Sequence, residues 1–164
     1  MIAKASFRCR PDQKNMIVRQ CIFRSNDTFW TLCSQARDPT FLIKWQLTKA
    51  PNPTALQTIQ VHEKPSVSMR LLPTKELCVM TSDGFAVMVN SESLKVTSRQ
   101  KLHKMPITSC HFLTAQKMLA TASTDYQYRF VRTSQFSVVR SAGQLLMQFG
   151  VLLVFLLLIA NYFY

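Results

Sequence analysis

Two sets of a histidine, a hydroxyl and an aspartate recur along the chain: His62, Thr81 and Asp83, then His103, Ser123 and Asp125. A charge-relay hydrolase uses these side-chain types. The hydroxyl attacks, the imidazole takes its proton, and the carboxylate holds the imidazole in place. The same types can also close a hydrogen-bond network that satisfies polar groups within a sheet. Two features favour the network. The histidines are 41 residues apart and the aspartates 42, so the set belongs to a repeat. Neither hydroxyl sits in the strand-to-helix elbow that exposes a nucleophile. The six residues are therefore read as a structural network, and no catalytic residue is assigned.

The rest of the chain offers little other chemistry. Its three glycines, Gly84, Gly143 and Gly150, are too scattered to build a phosphate-cradling loop. No HExxH or CxxC spacing suggests a metal site. Cys110 and His111 are adjacent, which in a strand directs them to opposite faces, and Cys110 is read as core. No carboxylate pair stands out among eight acidic residues. Neither a cofactor site nor a metal site is expected.

The elements that must hold these residues are short strands. Residues 65–84 (PSVSMRLLPTKELCVMTSDG) and 106–126 (PITSCHFLTAQKMLATASTDY) align, with Pro65 on Pro106 and Asp83 on Asp125. A weaker copy, NMIVRQCIFRSNDTFWTLCSQ, lies upstream and leads into FLIKWQL, which places Trp45 in a third strand. Alternating apolar residues broken by Asn, Asp, Ser, Pro or Thr indicate antiparallel strands. The best copy predicts four, at 66–72, 76–81, 85–90 and 94–101. Four strands per period of about 41 residues are the signature of a propeller blade. About three blades use residues 16–140, whereas closed propellers need about 4–8. The expected fold is all-β: an incomplete propeller over 1–140, followed by one transmembrane helix.

That helix is predicted at 145–164, LLMQFGVLLVFLLLIANYFY, which carries no charge. Twenty helical residues span about 30 Å, the thickness of a hydrocarbon core. Thirteen of them are Leu, Ile, Val or Phe. Together these favour insertion by about 4–8 kcal/mol. Arg129, Arg132 and Arg140 precede the segment and no charge follows it, so the N-terminal side is expected in the cytosol. Ser141, Ala142 and Gly143 are small, as a lipid-anchor signal requires, but the polar spacer such a signal needs is missing. Lys and Arg number 20 against 8 acids, a formal charge of +12. Such a surplus suits anionic partners. Nucleic acid is not the expected one, because no recognition element accompanies the charge. Five cysteines without a CxxC pair, and an N-terminus without an apolar signal region, fit a reducing compartment.

Three stretches carry a family resemblance: FLIKWQLTKA, PSVSMRLLPTKELCVMTSDGFAVMVNSESLKV, and KLHKMPITSCHFL before the tail. Together with the apolar span placed directly after the blades, the region from about Thr40 to Tyr164 resembles the WD-repeat exchange factors of the Sar-type small GTPase. These are the prolactin regulatory element-binding protein-like proteins of the endoplasmic reticulum. The resemblance implies a single-pass endoplasmic-reticulum membrane protein with cytosolic WD-type blades, a Sar-type GTPase as partner, and a place in COPII vesicle formation. In that family the exchange activity resides mainly in a loop of an N-terminal blade without a counterpart here, so no active-site residue is carried over. A membrane-tethered interaction scaffold of the same fold is the alternative.

Overall fold

The computed structural model describes residues 16–25, 27–34, 39–48 and 53–136. The predicted span 145–164 lies outside them, and among the described residues no helix is long and apolar enough to cross a membrane. Eleven strands follow one another: β1 (Ile17–Phe23), β2 (Thr28–Ser34), β3 (Thr40–Gln46), β4 (Thr54–His62), β5 (Ser66–Leu71), β6 (Glu76–Thr81), β7 (Phe85–Asn90), β8 (Val96–Lys101), β9 (Ile107–Leu113), β10 (Met118–Ser123) and β11 (Tyr128–Arg132). They form three antiparallel meanders: β1-β2-β3-β4, β5-β6-β7-β8 and β9-β10-β11. The four strands predicted between 66 and 101 are present, and Trp45 lies in the third strand of the first sheet. Among the described residues the third sheet has three strands and ends in a short 3-10 turn, Thr133–Gln135.

The repeat extends to irregularities. β5 carries a register shift between Ser66 and Ser68, and β9 carries one between Ile107 and Ser109. Such a bulge inserts one extra residue and bends its strand. The tight turns after β5 and β9 place Lys75 (φ 63°) and Lys117 (φ 52°) in the left-handed region.

Side-chain alternation then stacks the sheets. On β2, Trp30 and Leu32 point towards the second sheet and pack with Met69, Leu77, Val79, Val87 and Val89. The opposite parity of β6 and β7, Cys78, Met80, Ala86 and Met88, packs against Ile107, Cys110, Leu119 and Val131 of the third sheet. Each sheet of the pair thus buries apolar side chains, at about 1.5–3 kcal/mol for each large one. The second sheet is apolar on both faces because it is the middle layer. Polar contacts tie the layers as well. The Gln20 amide oxygen accepts the Met69 N–H at 2.8 Å, and the Arg99 guanidinium donates to the Val61 carbonyl at 2.9 Å.

Candidate functional site

The two histidines sit where one sheet hands over to the next. His62 ends β4, and His103 follows β8. Each meets an aspartate in the turn between the second and third strands of the following sheet. His103 Nδ1 lies 3.1 Å from Asp125 Oδ2, and Nε2 lies 2.9 Å from Thr121 Oγ1. A carboxylate only accepts, so Nδ1–H donates to Asp125 and Nε2 receives the Thr121 hydroxyl proton. Asp125 also accepts the backbone N–H groups of Lys104 (3.2 Å) and Gln127 (3.1 Å). The turn is thereby pinned to the segment that enters the sheet.

This corrects the sequence alignment at one residue. The expected hydroxyl, Ser123, does not contact His103. It donates instead to the Met105 carbonyl and accepts the Asp125 N–H, both at 3.2 Å. Thr121 lies two residues earlier on the same face of β10, one pleat deeper, and the imidazole reaches it there. Parity alone admitted either residue. The choice of Ser123 came from aligning it with Thr81.

In the second sheet the network has another form. Strand pairing sets Val79 opposite Val87, as Thr121 sits opposite Arg129, so Val79 holds the position that Thr121 has in the third sheet. No hydroxyl is available there. His62 Nε2 contacts both Asp83 oxygens at 3.0 Å, while Thr81 donates to Asp83 Oδ1 at 2.6 Å and accepts the Phe85 N–H at 2.9 Å. His62 Nδ1 is buried with no hydrogen-bond partner among the described residues. The first sheet shows a third variant that the sequence reading missed: Trp45 Nε1 donates to Thr31 Oγ1 at 2.8 Å, deep in the sheet. Thr31 sits opposite Ile43, which is again the Val79 and Thr121 position. The first and third sheets thus carry a bonded threonine at this position, while the second carries Val79 and places its polar network at Thr81 and Asp83.

Electrostatics agree with a structural role. For Asp83, partial burial pushes the carboxyl pKa up, but hydrogen bonds from Thr81 and His62 outweigh it and hold the acid below its ordinary value. Asp125 behaves alike: its desolvation is outweighed by the N–H groups of Gln127 and Lys104 and by His103. Both aspartates are thus fixed as anions at neutral pH. Neither set offers an attacking group, since the Thr81 proton is committed to Asp83 and the Thr121 hydroxyl is buried between sheets.

The thiols are the remaining reactive groups. Cys78 and Cys110 face each other between the second and third sheets, inside the apolar cluster, with Met80 Sδ 3.9 Å from Cys78 Sγ. The hydrogen bond to Cys110 and burial hold the Cys78 thiol well above its ordinary pKa. It is a core side chain and not a nucleophile. Cys110 is buried and His111 exposed, as adjacent strand residues should be. Among the described residues no group of three or more His, Cys, Asp or Glu side chains could hold a metal.

Comparison with known proteins bears on the fold. No protein-family model and no curated protein matches the chain. Solved structures do match. The WD40 propeller domain of Doa1 superposes with a TM-score of 0.59 at 16% identity, over 74% of this chain and 36% of that one. The WD40 domain of Toxoplasma gondii coronin gives 0.61 at 18%, over 74% and 33%. The WD40 repeats of RRP9 give 0.58 at 13%, over 77% and 41%. At such identities the likeness establishes the fold: the three sheets are blades of a WD40-type propeller. The chain spans about a third to two fifths of the length of these neighbours.

Proposed function

We propose that the chain is a membrane-anchored WD-type protein of the early secretory pathway that acts by offering its blade surface to protein partners. The observation that carries this reading is that the hydrogen-bonding groups of both histidine networks, apart from the buried His62 Nδ1, are taken up within the blades. Their protons and lone pairs go to neighbouring strands and turns, so the polar groups are spent on holding blades together. What remains for function is surface. The uncharged segment 145–164 supports anchoring, and its flanking arginines support a cytosolic placement of the blades. The resemblance over 40–164 supports the endoplasmic reticulum as the location and a Sar-type GTPase as the partner.

Exchange activity is the second reading, favoured by that same resemblance. Nucleotide exchange needs a surface that binds the nucleotide-free GTPase better than the loaded one, which is a matter of differential affinity and not of acid–base chemistry. In the resembling family that surface lies on a loop of an N-terminal blade, and no residue of the three blades here is matched to it, so the scaffold reading leads. Full-length protein in lipid vesicles tests both. Retention of a Sar-type GTPase with GDP release at the uncatalysed rate is the expected result. Catalytic acceleration of GDP release would move the exchange surface into these blades. Failure to retain the GTPase in any nucleotide state would remove it as the partner.

A further inference from the structure

We infer that one end of the blade stack, the end carrying the turns after β5, β7 and β9, is a docking surface for an anionic lipid bilayer; the inference rests on the membrane-anchored reading. In an antiparallel meander the first-to-second and third-to-fourth turns share an end. Here hydrogen bonds fix that end: the Ser91 N–H and hydroxyl both reach the Lys75 carbonyl, at 3.1 and 2.6 Å, joining the turn after β7 to the turn after β5. Likewise the Thr133 N–H reaches the Lys117 carbonyl at 3.2 Å, so the residues following β11 leave at this end. It is the end from which the chain proceeds towards its uncharged segment at 145–164.

The same end is basic. Lys75, Lys95, Lys117 and Arg132 stand exposed on or beside these turns. Three described acids lie there too. Glu92 is engaged by Arg24 and Lys44, and Glu76 accepts from Thr74 and Thr97, while exposed Asp27 is on the first blade. The second and third blades therefore present Lys75, Lys95, Lys117 and Arg132 with two acids among them, Glu76 and the Glu92 that Arg24 and Lys44 of the first blade engage. At the opposite end, exposed Lys64, Lys101, Lys104 and Arg129 are interspersed with Glu63, Asp83 and Asp125, and the two aspartates serve the histidine networks. A polybasic surface next to a membrane span is attracted to anionic headgroups, at about fivefold in partition for each lysine near the surface, over a range of about 10 Å at moderate salt. The tether keeps these turns close to the headgroups, which makes a weak attraction effective.

The test is hydrogen exchange of the full chain reconstituted in neutral vesicles and in vesicles with about a third phosphatidylserine. The turn amides of Lys75 and Lys117, bonded to Leu72 and Thr114, report on the basic end; those of Gly84 and Tyr126, bonded to Thr81 and Ser123, report on the other. Exchange at 72–76 and 114–117 should slow at least fivefold on the anionic vesicles, the effect should vanish in 1 M salt, and 81–84 and 123–126 should not change. Equal exchange on both vesicle types, or equal slowing at both ends, would overturn the inference. Carbonate extraction separates the two readings: protein that washes off neutral vesicles fails the anchor itself, whereas protein that stays without protecting its basic turns fails only the docking surface. Lys75→Gln with Lys117→Gln should abolish the protection while leaving the protein in the carbonate pellet. Protection that survives the double substitution counts against the lysines as its cause.

Discussion

Each histidine network hinges on how many of the imidazole's two nitrogens find a partner. His103 has both satisfied, by Asp125 and Thr121, and removing it takes a partner from each, leaving Asp125 its two backbone N–H groups and Thr121 a long 3.4 Å contact to the Arg129 carbonyl. His62 has one, and its ring rests against Phe85 with centroids 5.2 Å apart. His103→Ala should therefore destabilise by about 2–3 kcal/mol and His62→Ala by about 1–2 kcal/mol, measured by denaturant unfolding. A loss of partner binding with unchanged stability would instead assign these residues to a surface function. The aspartates add a pH dependence. Both have pKa values lowered from the ordinary 3.8 in the folded chain. The unfolded chain takes up their protons first, so their contribution is present above pH 3.8 and is lost as pH falls through the lower folded values. Asp83→Asn and Asp125→Asn should each flatten the fall in stability as pH drops below 3.8.

Turns and strand ends decide which substitutions the blades accept. Gly84 occupies the turn between β6 and β7 at φ +85°, and a Cβ there would meet the His103 carbonyl oxygen at 2.0 Å. The Leu102 and His103 N–H groups, at 2.9 and 3.1 Å from the Gly84 carbonyl, hold the end of β8 against this turn. Gly84→Ala should cost about 2–4 kcal/mol, through both the left-handed conformation and the clash with backbone. Tyr126 holds the corresponding place in the third blade, also with positive φ, yet is fully exposed. Among the described residues no fourth strand passes it, so Tyr126→Ala should change stability by less than about 0.5 kcal/mol. Melting curves of the two variants check both figures.

The described residues form a stack of three layers with the middle layer protected on both faces. The third blade directs Tyr128 and Phe130 outwards, 76% and 53% exposed, on the face where a following blade would lie in a closed propeller. Stability of the stack comes from the two inter-blade cores, whereas the proposed membrane attachment rests on 145–164. These contributions should separate. Substituting Arg at both Leu153 and Leu157 costs about 2.5–3.5 kcal/mol per site near a bilayer centre and should release the protein from carbonate-washed membranes. The unfolding midpoint of the blades should not change. Continued pelleting of this variant would end the anchor reading, and a collapse of the midpoint would show that the tail is part of the fold.

Strand positions in the middle blade followed from sequence because local chemistry controls them. Alternating apolar residues, turn formers and a repeat of about 41 residues need no long-range information, and 76–81 and 85–90 match β6 and β7 in the structure. The pairing of His62 with Asp83 and of His103 with Asp125 was legible for the same reason, since both sets recur at that period. The hydroxyl at His103 was not, because Thr121 and Ser123 share one face of a strand and only the depth reached by the imidazole separates them. Nor did the pattern distinguish Thr31 as the partner of Trp45, a contact made across two paired strands. Sequence thus determined the elements and their period, which arise from neighbours along the chain. Tertiary structure decided which polar groups meet and which turns share the basic end, because those depend on how the sheets stack and where each strand ends.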